Sequence, residues 1–162
     1  MANLSFCNKE QLAIISSLAQ EIWPSVYDYM ISPAQIKYML EKMYAISALE
    51  KQFDQRHQFI ILENIEPIGF ASYELYAGEG MKLHKLYLKK KEHGKGWGKM
   101  LLDKVIEEGR KNKKLWIELN VNRENRSISF YQSQGFTIQQ TVDIAIGDGF
   151  EMNDFIMTKS LD

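Results

Sequence analysis

The sequence predicts an α/β fold in which two or three helices come first and a mixed sheet of about six or seven strands follows. Three observations predict it. Helix-capping signals and apolar residues at helical spacing occur throughout residues 9–56. Short or alternating apolar runs recur through residues 57–162. Two segments with helical spacing interrupt those runs. No repeat or linker divides the 162 residues. We therefore expect one domain, 1–162, with a helical region at 1–56 and a sheet at 57–162.

The helical region opens with two amphipathic segments. Residues 9–22 form the first predicted helix, with Asn8 as its N-cap. Ser32 caps the second, and Pro33 suits its first helical position. A further short helix is predicted after Ser47.

The remainder alternates strands with helices. A helix is predicted over 100–110, and a shorter one lies between Asn125, a suitable N-cap, and Gly135, which suits a left-handed helix end. Strands are predicted at 59–62, 68–76, 83–88, 115–121, 136–146 and 150–161.

Composition excludes several classes of function. The chain is 45% apolar and 25% charged, with a net charge of −1, values of an ordinary globular protein and not of a nucleic-acid binder. Cys7 is the only cysteine, so an intrachain disulfide is impossible. We find no signal peptide and no apolar run long enough for a membrane span, and we expect a cytoplasmic protein that does not bind membranes. Three histidines scattered along the sequence offer no metal-ligand spacing, so we expect no metal.

The segment from Leu86 to Gly98 is the most informative part of the chain. A short apolar strand runs into His93-Gly94-Lys95-Gly96-Trp97-Gly98, and a helix follows directly. Glycines at such a junction let backbone N–H groups approach an anion, with the positive helix end behind them. The segment therefore predicts a pyrophosphate site.

Spacing separates the phosphate-binding loops that compete for this segment. A P-loop needs Ser or Thr after Gly-Lys, but Met100 follows Gly98-Lys99. In the dinucleotide pattern G-x-G-x-x-G, counted from Gly94, the third glycine falls on Lys99. Both loops are excluded.

The remaining pattern, Q/R-x-x-G-x-G/A, resembles the acyl-CoA loop of the GCN5-related N-acetyltransferases. His93, Gly96 and Gly98 hold its marked positions, although the family usually has Gln or Arg where this chain has His93. The resemblance implies acetyl-CoA as co-substrate and a central splay between two parallel strands. It also implies cofactor contacts from Leu86, Tyr87, Leu88, His93, Gly94, Lys95, Gly96, Trp97, Gly98, Lys99, Asn122, Asn125 and Tyr131.

A second segment, residues 125–136, resembles the family's N-x-x-A-x-x-F-Y-x-x-x-G-F. Asn122 and Asn125 compete for the asparagine that contacts the pantetheine arm, because the helix is about one residue shorter here. Tyr131 falls where the family places a tyrosine beside the CoA sulfur. We expect Tyr131 to be the general acid, since a neutral phenol can protonate a leaving thiolate.

The general base is left open between two residues. His84 shares strand parity with Leu86 and Leu88, and an imidazole titrates in the useful range. Glu118 on the next strand is the alternative.

Aromatic and acidic residues of the first two helices are expected to bind the acceptor, namely Glu21, Trp23, Tyr27 and Tyr38. The chain is similar to bacterial polyamine N-acetyltransferases, which implies a small-molecule amine as acceptor. Protein N-terminal or lysine acetylation is one alternative, and a non-catalytic acyl-CoA sensor is another. A homodimer is left open.

Overall fold

A computed structural model describes residues 2–162. Its centre is a seven-stranded sheet in the order β1-β2-β3-β4-β5-β7-β6. Neighbouring strands are antiparallel except β4 and β5, which are parallel. The predicted fold class is confirmed. The strands are β1 (Ala2–Phe6), β2 (Gln58–Asn64), β3 (Glu66–Leu75), β4 (Gly80–Leu88), β5 (Trp116–Asn122), β6 (Thr137–Gly147) and β7 (Phe150–Ser160).

Helices cover both faces of the sheet, and each face has its own hydrophobic core. The helices are α1 (Leu12–Tyr27), α2 (Pro33–Tyr44), α3 (Ile46–Asp54), α4 (Trp97–Lys111) and α5 (Ser127–Ser133). The first three pack on one face around Trp23, Tyr44 and Phe70. The last two pack on the other face around Leu102 and Phe136. A site at the sheet is therefore supported by a hydrophobic core on each of its two faces.

The predicted caps of the first two helices form, but two others differ: Ser47 lies inside α3, whose N-cap is Ala45, and Arg126 instead of Asn125 is the N-cap of α5. Asn8 and Gln11 form the capping box, and the Ser32 hydroxyl accepts from the Gln35 backbone N–H. However, α1 continues past residue 22 to Tyr27 and contains Pro24. Trp23 is 1% exposed, and burial of this last turn outweighs the missing hydrogen bond of Pro24.

Strand β1 was not predicted. It is an edge strand of five residues that pairs antiparallel with β2, from Ala2 opposite Asn64 to Phe6 opposite Ile60. Its residues do alternate, with apolar Ala2, Leu4 and Phe6 and polar Asn3 and Ser5, but the run is only five residues long, and its pairing with distant residues defines it. Residues 1–56 are therefore not wholly helical.

Two irregularities of β4 position the site. β4 pairs with β5 only from Gly80 to Leu83, and the two strands then separate, as the family resemblance implied. On its other side, the register with β3 shifts so that Leu83 faces Tyr73 and Lys85 faces Ser72. His84 is the extra residue of this β-bulge.

Within residues 2–162, no helix combines the length and the apolar character needed to cross a membrane.

Candidate active site

The separation of β4 from β5 opens a cavity of about 790 Å³. It extends from the glycine loop before α4, along β4, to residues of β5 and α5. Its lining contains most of the predicted cofactor residues: Leu86, Tyr87, Leu88, His93, Gly94, Gly96, Trp97, Gly98, Lys99, Asn125 and Tyr131. Lys95 and Asn122 do not line it.

The glycine loop has the backbone shape that an anion site needs. Gly94 and Gly96 have φ values of 78° and 87°, in the left-handed region that favours glycine. No atom lies within 4 Å of where a Cβ would stand on either residue. Gly96 also begins α4, whose first N–H groups have no side-chain cap. Open space before free amides fits the pyrophosphate of acetyl-CoA.

Lysines around the loop are mostly paired with carboxylates. Lys95 Nζ lies 3.2 Å from Glu92, and Lys99 Nζ lies 2.6 Å from Asp103. Lys95 is thereby held away from the cavity. Lys90 lines the cavity and forms no salt bridge in the described part of the chain, so its charge is available to phosphate.

His93 holds the loop against β4. Its Nε2 lies 3.0 Å from the Leu88 carbonyl oxygen, and its ring lines the cavity. The departure from Gln or Arg at this position therefore has a local structural role: the side chain joins the loop to the strand that leads into it.

The cavity edge of β4 fits the pantetheine arm. After Leu83, no strand pairs with β4 on the β5 side, although β3 still pairs with it through Leu88. On this open side, the backbone N–H and C=O groups of Leu86 to Leu88 can form hydrogen bonds with the pantetheine amides, as they would with a neighbouring strand. Asn125 lines the cavity and Asn122 does not, although both side chains accept from a backbone N–H in a local turn, Asn122 from Glu124 and Asn125 from Ser127. The structure thus favours Asn125 over Asn122 for the asparagine contact.

Tyr131 lies at the inner part of the cavity. It is 7% exposed and packs edge-on against Phe136, with ring centroids 5.6 Å apart. Burial raises the pKa of the Tyr131 phenol well above its usual range. The residue is therefore a protonated donor near neutral pH, as the predicted role requires.

His84 also lines the cavity, where a carboxylate orients it. Its Nε2 lies 2.9 Å from Glu74 Oε1, and the same oxygen lies 3.4 Å from His57 Nε2. The two imidazole rings stack with centroids 4.2 Å apart. An ionised carboxylate only accepts, so Nε2 of His84 carries the proton and Nδ1 is left as the acceptor.

The predicted face of His84 is wrong, because the bulge breaks strand alternation. Leu86 and Leu88 pack on the α4 side, whereas Lys85, the neighbour of His84, is buried against Phe59 and Tyr44 on the α1–α3 side. Burial lowers the pKa of His84 to about 4, against the raising effect of the Glu74 hydrogen bond. Its imidazole is therefore neutral near pH 7.

The histidines are also not scattered in space. His57, Glu74 and His84 each place a potential ligand atom within 4.8 Å of the other two. In this cluster both Nε2 atoms lie against Oε1 of Glu74, and the two ring planes are within 10° of parallel.

Glu118, the alternative base, lies outside the cavity lining. The Tyr76 hydroxyl donates to its Oε1 at 2.6 Å. One oxygen of this carboxylate is thus already hydrogen-bonded, and of the two candidate bases only His84 lines the cavity.

The predicted acceptor residues are only partly brought together. Tyr27 lines the cavity, and its hydroxyl lies 2.8 Å from that of Tyr87. Trp23 is instead buried in the core, the Tyr38 hydroxyl donates to the Ile146 carbonyl at 2.6 Å, and Glu21 pairs with Lys89 at 3.2 Å. These three do not line the cavity, so their contact with the acceptor stays a prediction.

A contact at the cavity joins the α1–α2 loop to the β5–α5 loop. The Tyr29 hydroxyl accepts from the Arg126 backbone N–H at 3.0 Å, and the Arg126 guanidinium lies 4.4 Å from the Tyr29 ring centroid. Both residues line the cavity. The two loops that carry these residues are therefore held together at the cavity.

Sequence reasoning missed several polar residues on this face of the sheet. Asn120 lines the cavity, Lys85 is buried with its ammonium donating to Gln52 at 2.8 Å, and Asp154 is 1% exposed. Alternation with apolar residues was the only available signal. Alternation predicts the face of the strand on which a residue lies, but not which residues of other elements it contacts there.

Comparison with known proteins agrees with this geometry. A family model described as acetyltransferase (GNAT) family matches residues 20–136, more than half of the chain. The structure of PaiA N-acetyltransferase from Thermoplasma acidophilum in complex with coenzyme A is 25% identical, covers 99% of each chain and superposes with a TM-score of 0.85.

Two further solved structures share the fold at lower identity. The ribosomal-protein-S18-alanine N-acetyltransferase from Escherichia coli is 18% identical, with 100% of this chain and 95% of that chain covered and a TM-score of 0.76. A putative acetyltransferase from Salmonella typhimurium, solved with acetyl-CoA, is 20% identical over 100% of this chain and 95% of that chain, with a TM-score of 0.68.

Proposed function

The chain belongs to the acetyltransferase (GNAT) family and is an acetyl-CoA-dependent N-acetyltransferase, and from this we propose that it acetylates a primary amine of a small, cationic molecule such as a polyamine. The observation that carries the proposal is one continuous cavity that joins the glycine loop to Tyr131 and His84. The residues that contact the donor and the residues that transfer protons therefore line the same cavity.

Binding of the donor relies on backbone groups. The amides around Gly94 and Gly96 hold the pyrophosphate, and the open edge of Leu86 to Leu88 aligns the pantetheine arm. Acetyl-CoA supplies the thioester carbonyl that the amine attacks. Fixing both ends of a long donor converts the transfer into a positioned reaction, which lowers its entropic cost.

Two side chains move the protons of the transfer. His84 Nδ1 accepts a proton from the attacking amine as the new N–C bond forms. Tyr131 donates its phenolic proton to the sulfur as the C–S bond breaks, and the products are the amide and free CoA thiol. Neutral His84 and protonated Tyr131 are the forms that burial favours near neutral pH.

One carboxylate beside the cavity supports a cationic acceptor: Glu74 on β3 contacts His84, which lines the cavity. The resemblance to polyamine acetyltransferases supports the same class of acceptor.

A matched panel of acceptors tests this proposal. Purified protein with acetyl-CoA is offered diamines, polyamines, monoamines, and peptides with free N-termini or lysines, and release of CoA thiol is followed. We expect the highest kcat/KM with a di- or polyamine. Preference for a peptide would refute the small-molecule acceptor. Tight binding of acetyl-CoA with no acceptor turned over would favour an acyl-CoA sensor.

A further inference from the structure

Asp154 is a buried carboxylate that the protein does not satisfy. It is 1% exposed, yet its Oδ2 has no hydrogen-bond partner among residues 2–162. It also forms no salt bridge within that range. A buried carboxylate oxygen that lacks a hydrogen bond is unfavourable, because nothing in the protein replaces the water that it loses. A donor from outside the chain can supply the missing hydrogen bond.

Strand alternation places Asp154 on the acceptor side of the sheet. Its neighbours Phe155 and Met157 pack in the core on the α4 side. Asp154 lies opposite Asn122 on β5, and the next residue of β7 on the same face, Ile156, lies opposite Asn120. Asn120 lines the cavity and Asp154 does not, so Asp154 lies behind the lining, on the same face of the sheet as Asn120.

Asp154 interacts electrostatically with the tyrosine pair of the cavity. Burial raises the pKa of Tyr27 and of Tyr87, whose hydroxyls bond to each other, and the charge of Asp154 adds to that rise. Burial raises the pKa of Asp154, and the Asn120 side chain and the charges of Lys82 and Arg123 oppose that rise.

Neither nearby cation neutralises Asp154 by direct contact. The Arg123 guanidinium instead pairs with Asp143 at 2.7 Å and donates to the Val142 carbonyl at 3.2 Å. Lys82 forms no salt bridge in the described part of the chain. The carboxylate therefore retains its capacity to accept from a third cation.

We propose that Asp154, with Asn120 and the Tyr27–Tyr87 pair, binds the non-reacting ammonium group of a di- or polyamine acceptor. The assignment deepens the proposed function and rests on it for the identity of the reaction. An ammonium group has three donors, which match a carboxylate oxygen, an amide oxygen and a phenolic oxygen. The other amine of the same molecule must be neutral to attack, and it reaches His84 and Tyr131.

Asp154→Asn tests the site, because it keeps the shape and removes the charge. We expect KM for diaminobutane to rise at least tenfold, while kcat at saturation and KM for butylamine change less than twofold. The melting temperature of the free protein should stay the same or rise, since an unpartnered buried charge is lost. Asp143→Asn, which removes the exposed partner of Arg123, is the control and should leave both KM values unchanged.

A thermal-shift measurement keeps the test valid if no acceptor turns over. Diaminobutane should raise the melting temperature of the wild type and not that of Asp154→Asn, while acetyl-CoA stabilises both proteins and reports correct folding. A shift lost in the variant without any acetylation would support the site and refute the proposed function. Equal shifts in both proteins would overturn the site. A lower melting temperature together with equal rises in KM for both amines would assign Asp154 a structural role.

Discussion

The donor side and the acceptor side of the cavity are built in different ways. The donor side comes from one stretch of chain, residues 84–131, and its central feature is backbone shape: an open strand edge, two left-handed glycines and the start of α4. The acceptor side combines Tyr27 of α1, Glu74 of β3 and Asp154 of β7, which are far apart in sequence.

This difference separates what the family shares from what defines one member. A backbone cradle depends on φ angles and on a helix end, so it tolerates most changes of side chain apart from those at its glycines. An acceptor pocket built of side chains changes its preference with each substitution. We therefore expect substitutions on the two sides to affect different measured quantities, donor affinity on one side and catalysis or acceptor KM on the other.

Gly96→Val should have the largest effect, and it falls on donor binding. Valine disfavours a φ of 87°, and its side chain enters the space where the pyrophosphate is bound. Wild-type protein at 100 times the Kd of acetyl-CoA gains about 2.7 kcal/mol of stability. We expect this gain to disappear in the variant, as measured by calorimetry or thermal shift.

Gly78→Val is the matched control, because Gly78 lies in the β3–β4 loop with no atom within 4 Å of a Cβ position and outside the left-handed region. It should bind acetyl-CoA as the wild type does. If Gly96→Val binds acetyl-CoA normally, the glycine loop does not bind the donor, and the proposed difference between the two sides of the cavity is wrong.

Tyr131→Phe should leave donor binding intact and slow the chemical step. The ring still packs against Phe136, but the proton for the thiolate is gone. Positioned acid catalysis contributes ~10²–10⁴-fold, and kcat should fall into this range. Isothermal titration with acetyl-CoA should show an unchanged Kd. Full activity of the variant would show that solvent or another group protonates the sulfur.

His84→Gln should have a smaller effect, of roughly tenfold on kcat/KM, because a base with a pKa of about 4 is a weak proton acceptor. For the same reason, the acidic limb of the wild-type profile should lie near pH 4 and not near the ordinary histidine pKa of 6.5. His57→Gln is the comparison, since His57 shares Glu74 but does not line the cavity. Equal losses in both variants would indicate that the cluster acts only structurally.

The lowered pKa of His84 also predicts that the stability of the protein depends on pH. A histidine whose pKa is lowered on folding binds its proton more readily in the unfolded state, so stability is lost as pH falls from 6.5 towards 4. The melting temperature of His84→Gln should therefore fall less steeply over this window. His57, whose pKa burial also lowers, retains part of the slope.

The two sides also differ in how far the sequence predicts them. The glycine loop and Tyr131 were predicted because each lies in a local motif, the splay was implied only by the family resemblance, and the structure brings Gly96 and Tyr131 into one cavity. The contact of His57 with Glu74 and the unpartnered state of Asp154 were not predictable, because each depends on the register of distant strands. The bulge was missed because strict alternation was assumed.

The bulge at His84 has a consequence for how this site can change over generations. β3 has no residue opposite His84, and Leu83 and Lys85 already face successive residues of β3. Deleting His84 would restore regular alternation and keep both flanking residues on their present faces. The residue that we assign to proton transfer is thus one that the sheet does not need. Selection can exchange or lose it without dismantling the strand, so the chemistry of this position can evolve separately from the fold.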